Sequence, residues 1–473
     1  MTRKSDERLS RRDLMRDAMV AGASASVFTQ RRRALAAGPT LEAGEGVVDT
    51  TPPMKVEMGG FHRPPGQERR VEGIRHRSAA RALVLRVGEA RAAIVSLDVA
   101  AVSADFSARV ARRVAAATSI PVANVRICAT HTHSMPCFQP LRQWGAVPLD
   151  YMATVESAVV RAVTLAEADL TPAVLHLGTA RATGANFNRT APTWKTDAQF
   201  TREATDAGRW LDTSLHALRF ERAGAGGRGA ADLIWYHFSA HPVCYADALA
   251  GPDWPGIVQD LVRESHGVSP SFLQGHAGDV NPGDGRPWIG DPDKAARGVH
   301  AALKAALEGA RPVKADGLRM ETARFEVPVD RDRLRDELAR YRADPGKCVS
   351  GEWVDARFAK DWYEAASRWR LESKTLPFSV STLRLGEVGW LFHPGELFSF
   401  YGLKVRHRSP APHTLVVGYT DGIIGYLGDP AGYEAGIYEA VVVPKILDLP
   451  PFAPAAAAEF TDQALDLIAK RLA

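Results

Sequence analysis

Val125-Arg126-Ile127-Cys128-Ala129-Thr130-His131-Thr132-His133-Ser134 (residues 125–134) passes from a short apolar run directly into two histidines separated by one threonine. The run reads as a buried strand. In an extended chain, residues two apart point to the same face, so the spacing predicts His131 and His133 facing one ion. Neutral imidazole nitrogen suits zinc, a borderline-soft cation bound at short distance. Taken alone, the pair reads equally well as two structural histidines.

Working outward, the same design recurs. Ala82–Val87 and Ala92–Asp98 form a predicted hairpin across Gly88-Glu89, and Ala104–Ala117 has helical spacing. Beyond the histidines, helices are predicted over Tyr151–Glu167, Gly256–Ser265, Lys294–Leu307 and Ala458–Leu472. Strands are predicted over Ala173–Gly178, Leu233–Ser239, Ser271–Gln274 and Arg319–Val329. A charged helical region covers 331–374, broken at Pro345-Gly346, before a hairpin of Ser381–Leu385 and Val388–Phe392. Residues 37–53, rich in Gly, Pro and Thr, read as extended chain. Strands alternating with helices over the whole length predict an α/β fold of mixed sheets flanked by helices, in one large domain over 37–473. Polar clusters follow the strands ending near 129, 239, 274 and 392. Strand ends are where α/β folds assemble sites, because the sheet backbone holds the side chains rigidly.

Each cluster carries a candidate. His241 follows one strand and Glu396, in His393-Pro394-Gly395-Glu396, follows another; two histidines and a carboxylate are a familiar catalytic zinc set. Separately, a structural histidine and a glutamate at a helix start are the plain readings. Gly275-His276-Ala277-Gly278-Asp279-Val280-Asn281-Pro282 lacks nucleotide-loop spacing. There Asp279 is a candidate general base or supporting carboxylate and Asn281 a candidate oxyanion donor, against a simple Asx turn before proline. Arg189, in Asn186-Phe187-Asn188-Arg189-Thr190, offers a guanidinium for a carbonyl or carboxylate. Tyr419, Tyr426, Tyr433 and Tyr438 lie among seven glycines or prolines in Gly418–Glu439. Aromatic packing competes there with a phenolate ligand or a hydroxyl donor.

The 473 residues are 45% hydrophobic and 24% charged, with 40 Gly and 30 Pro. That excludes a disordered chain, a collagen-like fibre and a disulfide-stapled miniature, and no apolar run reaches membrane-spanning length. Nine basic and four acidic residues fall within 1–36, leaving 50 basic against 51 acidic residues beyond. The net charge of +4 therefore belongs to the leader, and no nucleic-acid stripe is implied. Ser10-Arg11-Arg12-Asp13-Leu14-Met15 resembles a twin-arginine motif, followed by a weakly apolar stretch and Ala34-Leu35-Ala36 as a cleavage site. The leader 1–36 predicts export to the periplasm or medium, by a route that carries folded cargo. Cys128, Cys137, Cys244 and Cys348 show no CxxC pairing, which argues against a cysteine zinc site.

Seven segments, in order, resemble the catalytic domain of the neutral (alkaline, non-lysosomal) ceramidases: MGGF at 58–61, ATHTHS at 129–134, FNRTAP at 187–192, FSAHPV at 238–243, GDVNP at 278–282, PGE at 394–396 and YLGDPAGYEAGIYE at 426–439. The resemblance implies one zinc ion held by His131, His241, Glu396 and Tyr426. It also implies that His133, Arg189 and Tyr438 engage the substrate amide or its hydroxyls, the two tyrosines standing twelve residues apart as the family pattern requires. Where the family carries a serine, this chain has Asn281, which forms no acyl-enzyme. The chain also stops near the end of the family's catalytic domain, so the additional C-terminal β-sandwich is expected to be missing. The expected activity is hydrolysis of a linear N-acyl amide by a zinc-bound water, with Asp279 or a neighbouring group taking the proton. The substrate is a ceramide-like lipid, or another small N-acyl compound such as an N-acylated sugar or peptide. A lipid substrate brings peripheral membrane contact, and no protein partner is implied. A non-catalytic zinc- or lipid-binding protein is the reading from another class. A TIM-barrel amidohydrolase fits poorly, because its HxH lies on the first barrel strand and some eighty residues with a hairpin precede this one.

Overall fold

The computed structural model describes residues 40–223, 230–345, 356–369 and 373–472. The leader 1–36 and Cys348 lie outside them. The large sheet contains β1 (Leu41–Asp49), β2 (Ala79–Val87), β3 (Ala90–Leu97), β4 (Val125–Ala129), β5 (Thr171–Arg181), β6 (Ser214–Arg222), β7 (Leu233–Phe238) and β8 (Ser271–Gln274). Its order is β8-β7-β6-β5-β1-β2-β3-β4, with Arg311–Pro312 pairing beside β5. Neighbours are antiparallel except for β3–β4 and β7–β8 at the two ends. A second sheet runs β9 (Leu318–Pro328), β10 (Thr375–Leu385), β11 (Val388–Phe392), β12 (His413–Val417), with only β11–β12 parallel.

The two sheets pack face to face, as the side-chain alternation demands. Leu83 and Leu85 of β2 join Ile94, Leu218 and Trp235 in one core with Leu383, Trp390, Phe392, Leu415 and Val417 of the second sheet. Their neighbours Ala82 and Val84 point the other way, into a core with α1 (Ala104–Ala117) and α2 (Leu149–Ala168). Beside these, α3 (Trp254–His266) and α4 (Pro292–Gly309) cover β6, β7 and β8. On the outer side of the second sheet, α6 (Ala456–Leu472) packs near α5 (Ser399–Arg408). The result is helix, sheet, sheet, helix.

Helix starts follow ordinary capping chemistry. The Ser103 hydroxyl accepts from Phe106 N at 3.2 Å, and the Asp291 carboxylate accepts from Lys294 N at 2.9 Å. The charged region after Pro328 yields two helices, Arg331–Ala343 and Ala356–Ala366.

Two sequence expectations are revised. Residues 41–49, read only as extended chain, form the strand between β2 and β5 near the middle of the large sheet. A Cβ on Gly44 or Gly46 would lie 2.1 Å from Ala166 O or 2.0 Å from Ala162 O, so the glycines permit α2 to lie directly on the strand. The second revision concerns the histidines. The strand ends at Ala129, and His131 has φ of 62°, so strand alternation does not orient the pair. Cys128, Cys137 and Cys244 are buried free thiols, and among the described residues no helix is long and apolar enough to cross a membrane.

Candidate metal centre and substrate site

The left-handed turn at His131, rare for a non-glycine residue, swings its ring inward. Its Nδ1–H donates to Ala100 O at 2.6 Å. In His241, Nδ1–H and the backbone N–H both donate to Val280 O, at 2.9 and 3.2 Å. Because a carbonyl only accepts, each bond fixes the tautomer and leaves the Nε2 lone pair exposed to a ligand. The two Nε2 atoms meet the Glu396 carboxylate, with His131 Nε2 3.6 Å and His241 Nε2 3.4 Å from Oε2. His133 Nε2 lies 3.2 Å from His131 Nε2, and the ligand atoms of His131, His133 and His241 all fall within 4.8 Å of one another.

The surroundings suit a cation. Burial pushes the ionisation of His131 down to about 4, against the pull of Glu396, and that of His241 down to about 3. Burial also lowers His133, with His131 and His241 adding to it. Neutral imidazoles are the ligating form. Glu396 is 3% exposed and burial raises its carboxyl, opposed by His131 and Arg189. Two neutral nitrogens meeting one buried carboxylate, with a third imidazole beside them, form a donor set that could hold a metal ion.

Fixed loops hold this set. Gln274, at the end of β8, donates from Nε2 to Ala240 O at 2.8 Å and to Thr130 O at 3.5 Å, tying the two histidine loops together. Glu396 lies on the short strand Gly395–Leu397, paired parallel with Gly425–Leu427, so Glu396 stands beside Tyr426. The Tyr426 hydroxyl accepts from Arg189 Nη2 at 2.8 Å and hydrogen-bonds Glu396. Burial raises the Tyr426 hydroxyl well above its ordinary range, opposed by Arg189.

Arg189 is the hub of the polar wall. Its Nη1 donates to Asn281 Oδ1 at 3.3 Å, and its Nη2 also meets Glu439 Oε1 at 3.2 Å. Tyr426 and Glu439 hold it charged against its burial. Asn281 is fully buried and donates from Nδ2 to Trp288 O at 2.8 Å, so its carboxamide braces Arg189 against the Trp288 loop. Tyr438 Oη lies 2.7 Å from His62 Nε2. Asp279 stands differently: Oδ1 accepts from Ser399 N and Oγ at 2.7 and 2.8 Å, and Oδ2 accepts from Asn188 Nδ2 at 2.8 Å. Burial pushes Asp279 up to about 7, against the Ser399 bonds. Its carboxylate joins the Arg189 loop to the start of α5 through Asn188 and Ser399, which lie outside the histidine cluster.

Several residues here were given no role at the site by the sequence. Tyr419 stacks on His131, and Trp144 lies 5.3 Å from the His133 ring and 6.1 Å from the His131 ring. Arg69 donates to both Gly59 O and His133 O. A Cβ on Gly60, at φ of 94°, would lie 2.5 Å from His133 Cα, so the MGGF segment is a seat for the second histidine. His133 Nδ1, Trp144 Nε1 and Arg189 Nε are buried without a partner among the described residues. Such orphans are groups that a polar ligand could satisfy.

Residues 41–289, more than half of the chain, match the sequence family described as neutral/alkaline non-lysosomal ceramidase, N-terminal. The chain belongs to the neutral/alkaline non-lysosomal ceramidase family. The matched span contains His131, His133, Arg189, His241, Asp279 and Asn281, whereas Glu396, Tyr426 and Tyr438 lie beyond it in sequence. The neutral ceramidase from Pseudomonas aeruginosa has a similar solved structure, with a TM-score of 0.66 at 19% identity over 92% of this chain and 75% of that one. A ceramidase complexed with C2 is similar too, with a TM-score of 0.66 at 17% identity over 91% and 75% of the two chains. At these identities the likeness is one of fold. No curated protein sequence matches the chain significantly.

Proposed function

We propose that the protein is a zinc-dependent hydrolase of linear N-acyl amides, with a ceramide-like lipid as substrate. The observation that carries the reading is the convergence of His131 Nε2 and His241 Nε2 on Glu396 Oε2, at 3.6 and 3.4 Å, with both Nδ1 atoms anchored to carbonyls. His131, His241, Glu396 and Tyr426 would hold the ion. Bound there, zinc supplies Lewis acidity and a water whose pKa is lowered towards about 7.

The chain's own residues divide the remaining tasks. Arg189 places a fixed positive charge beside Tyr426 and Glu396, suited to the negative charge that develops on an amide oxygen. Asn281 cannot act as a nucleophile, and its bonds to Arg189 and Trp288 give it the task of holding that charge still. His133 offers its unpartnered Nδ1 to the substrate amide. Tyr438, beside His62, brings a hydroxyl to the substrate's polar groups. The leader supports export in the folded state, and lipid substrates would be met at a membrane surface.

The test is release of fatty acid from a short-chain ceramide by zinc-loaded protein, with Glu396→Ala as control and a panel of N-acyl sugars and peptides beside it. Release by the parent alone supports the reading. Release only from another amide in the panel keeps the chemistry and replaces the substrate. Zinc-saturated protein that cleaves none of them refutes hydrolysis, and protein that takes up no zinc refutes the ligand set.

A further inference from the structure

Tyr419 touches all three of the nitrogen and carboxylate ligands proposed above. Its ring stacks on His131 at 4.2 Å between centroids and 24° between planes. Its hydroxyl lies 3.4 Å from His241 Nε2 and 3.4 Å from Glu396 Oε2. The residue is 1% exposed, and its φ of 53° places it in the left-handed region. Backbone held in so sparsely populated a region needs surrounding contacts to determine it. Here Ala129 N, the last strand residue before the histidine segment, donates to Tyr419 O at 3.1 Å, while Thr420 N donates to His393 O at 3.0 Å. Tyr419 is thus clamped between the strand that delivers His131 and the loop that delivers Glu396.

We infer that Tyr419 is a positioning residue of the metal centre, setting the ring plane of His131 and the rotamer of the Glu396 carboxylate. The inference rests on the metal reading above. Its chemistry follows from the tautomers already fixed. A phenol has one proton to donate, and two acceptors lie near it. A cation that takes the His241 Nε2 lone pair leaves Glu396 Oε2 as the acceptor, so the hydroxyl then holds the carboxylate in one orientation. Tyr426 is placed for a different task, because its hydroxyl already accepts from Arg189. The two phenols therefore divide the roles of orienting and ligating. Partners of this kind, bonded to ligands rather than to the ion, typically govern 10–100-fold of metal affinity.

The experiment strips the full chain of metal and measures zinc affinity by competition with a chromophoric chelator, then records the visible spectrum of the cobalt form. Tyr419→Phe keeps the stacking ring and loses the hydroxyl. It should bind zinc about 10–100-fold more weakly, with a shifted cobalt spectrum and unchanged circular dichroism. Tyr363→Phe, whose hydroxyl meets Arg342 Nε at 3.3 Å on the charged helices after Pro328, should leave affinity and spectrum alone. In a Glu396→Gln background, Tyr419→Phe should cost much less, because the two residues act on one contact. Equal affinity and spectrum in parent and Tyr419→Phe, or full additivity with Glu396→Gln, would overturn the inference while leaving the metal reading intact. Parent protein that binds neither zinc nor cobalt overturns both.

Discussion

Removing the guanidinium of Arg189 isolates a charge, and the size of the effect can be worked from its contacts. The pair Arg189–Glu439 is 3.2 Å apart with both side chains 8% exposed. At an effective dielectric constant of about 20, the gross attraction at this distance is about 5 kcal/mol. Desolvation cancels much of it, so the intact pair adds little net stability. Breaking the pair differs, because Arg189→Met leaves the Glu439 carboxylate buried and unpaired at a cost of about 3–5 kcal/mol. Glu439→Gln leaves Arg189 with Tyr426 and Asn281 as acceptors, and the double variant leaves no orphan charge at all. The double variant should therefore be more stable than the two single losses predict, by about 1–3 kcal/mol. Protonation gives a second signature. Burial raises the Glu439 carboxyl and Arg189 restrains the rise; without Arg189 the folded state binds its proton more tightly than the unfolded state. The deficit of Arg189→Met should therefore be small at low pH and grow as pH rises through the carboxylate range. Urea unfolding of the four metal-free proteins at pH 5 and pH 8 measures both. Additive losses with no pH dependence would refute the buried-pair account.

Gly60→Ala should disable the site with little loss elsewhere, since the added Cβ would meet His133 at 2.5 Å and the residue sits at φ of 94°; lost turnover with unchanged circular dichroism reports it. Asn281→Ala removes the acceptor from Arg189 Nη1, and kcat/KM should fall by about tenfold, a hydrogen bond to a charged group, with zinc affinity unchanged. His237 is held down to about 3 by burial, partly opposed by its bond to Val416 O. Its stabilising contribution is complete above about pH 6.5 and is lost as pH falls towards about 3. His237→Gln should flatten the acid limb of unfolding stability between pH 6 and pH 4, and an unchanged slope would contradict this.

The sequence showed the large elements well because their periodicity is strong. Ser271–Gln274 and the ends of the hairpin at Leu385 and Val388 agree to the residue. Leu41–Asp49 was obscured because glycines at 44 and 46 look like loop composition, yet they serve close contact with α2. The site was legible as segments rather than as geometry. HxH marked two inward histidines, but a left-handed residue turns them inward where strand alternation had been expected. Tyr419 could not be told from its three neighbouring tyrosines, since only the fold decides which hydroxyl meets Glu396. His62, Trp144 and Gln274 act through distant partners, a relation that local sequence does not carry.

The donors at 131, 241 and 396 each lean on yet another segment, through Ala100, Val280 and the loop of Tyr419. Bringing such distant stretches together costs loop-closure entropy that the site's own contacts do not repay until the fold is in place. An ion therefore has no partial site to grip on a growing chain, unlike the small modules that fold around their metal. Loading belongs to the finished molecule. A chelator should empty the centre and added zinc refill it while the secondary structure stays constant, and the rate of refolding should not depend on zinc.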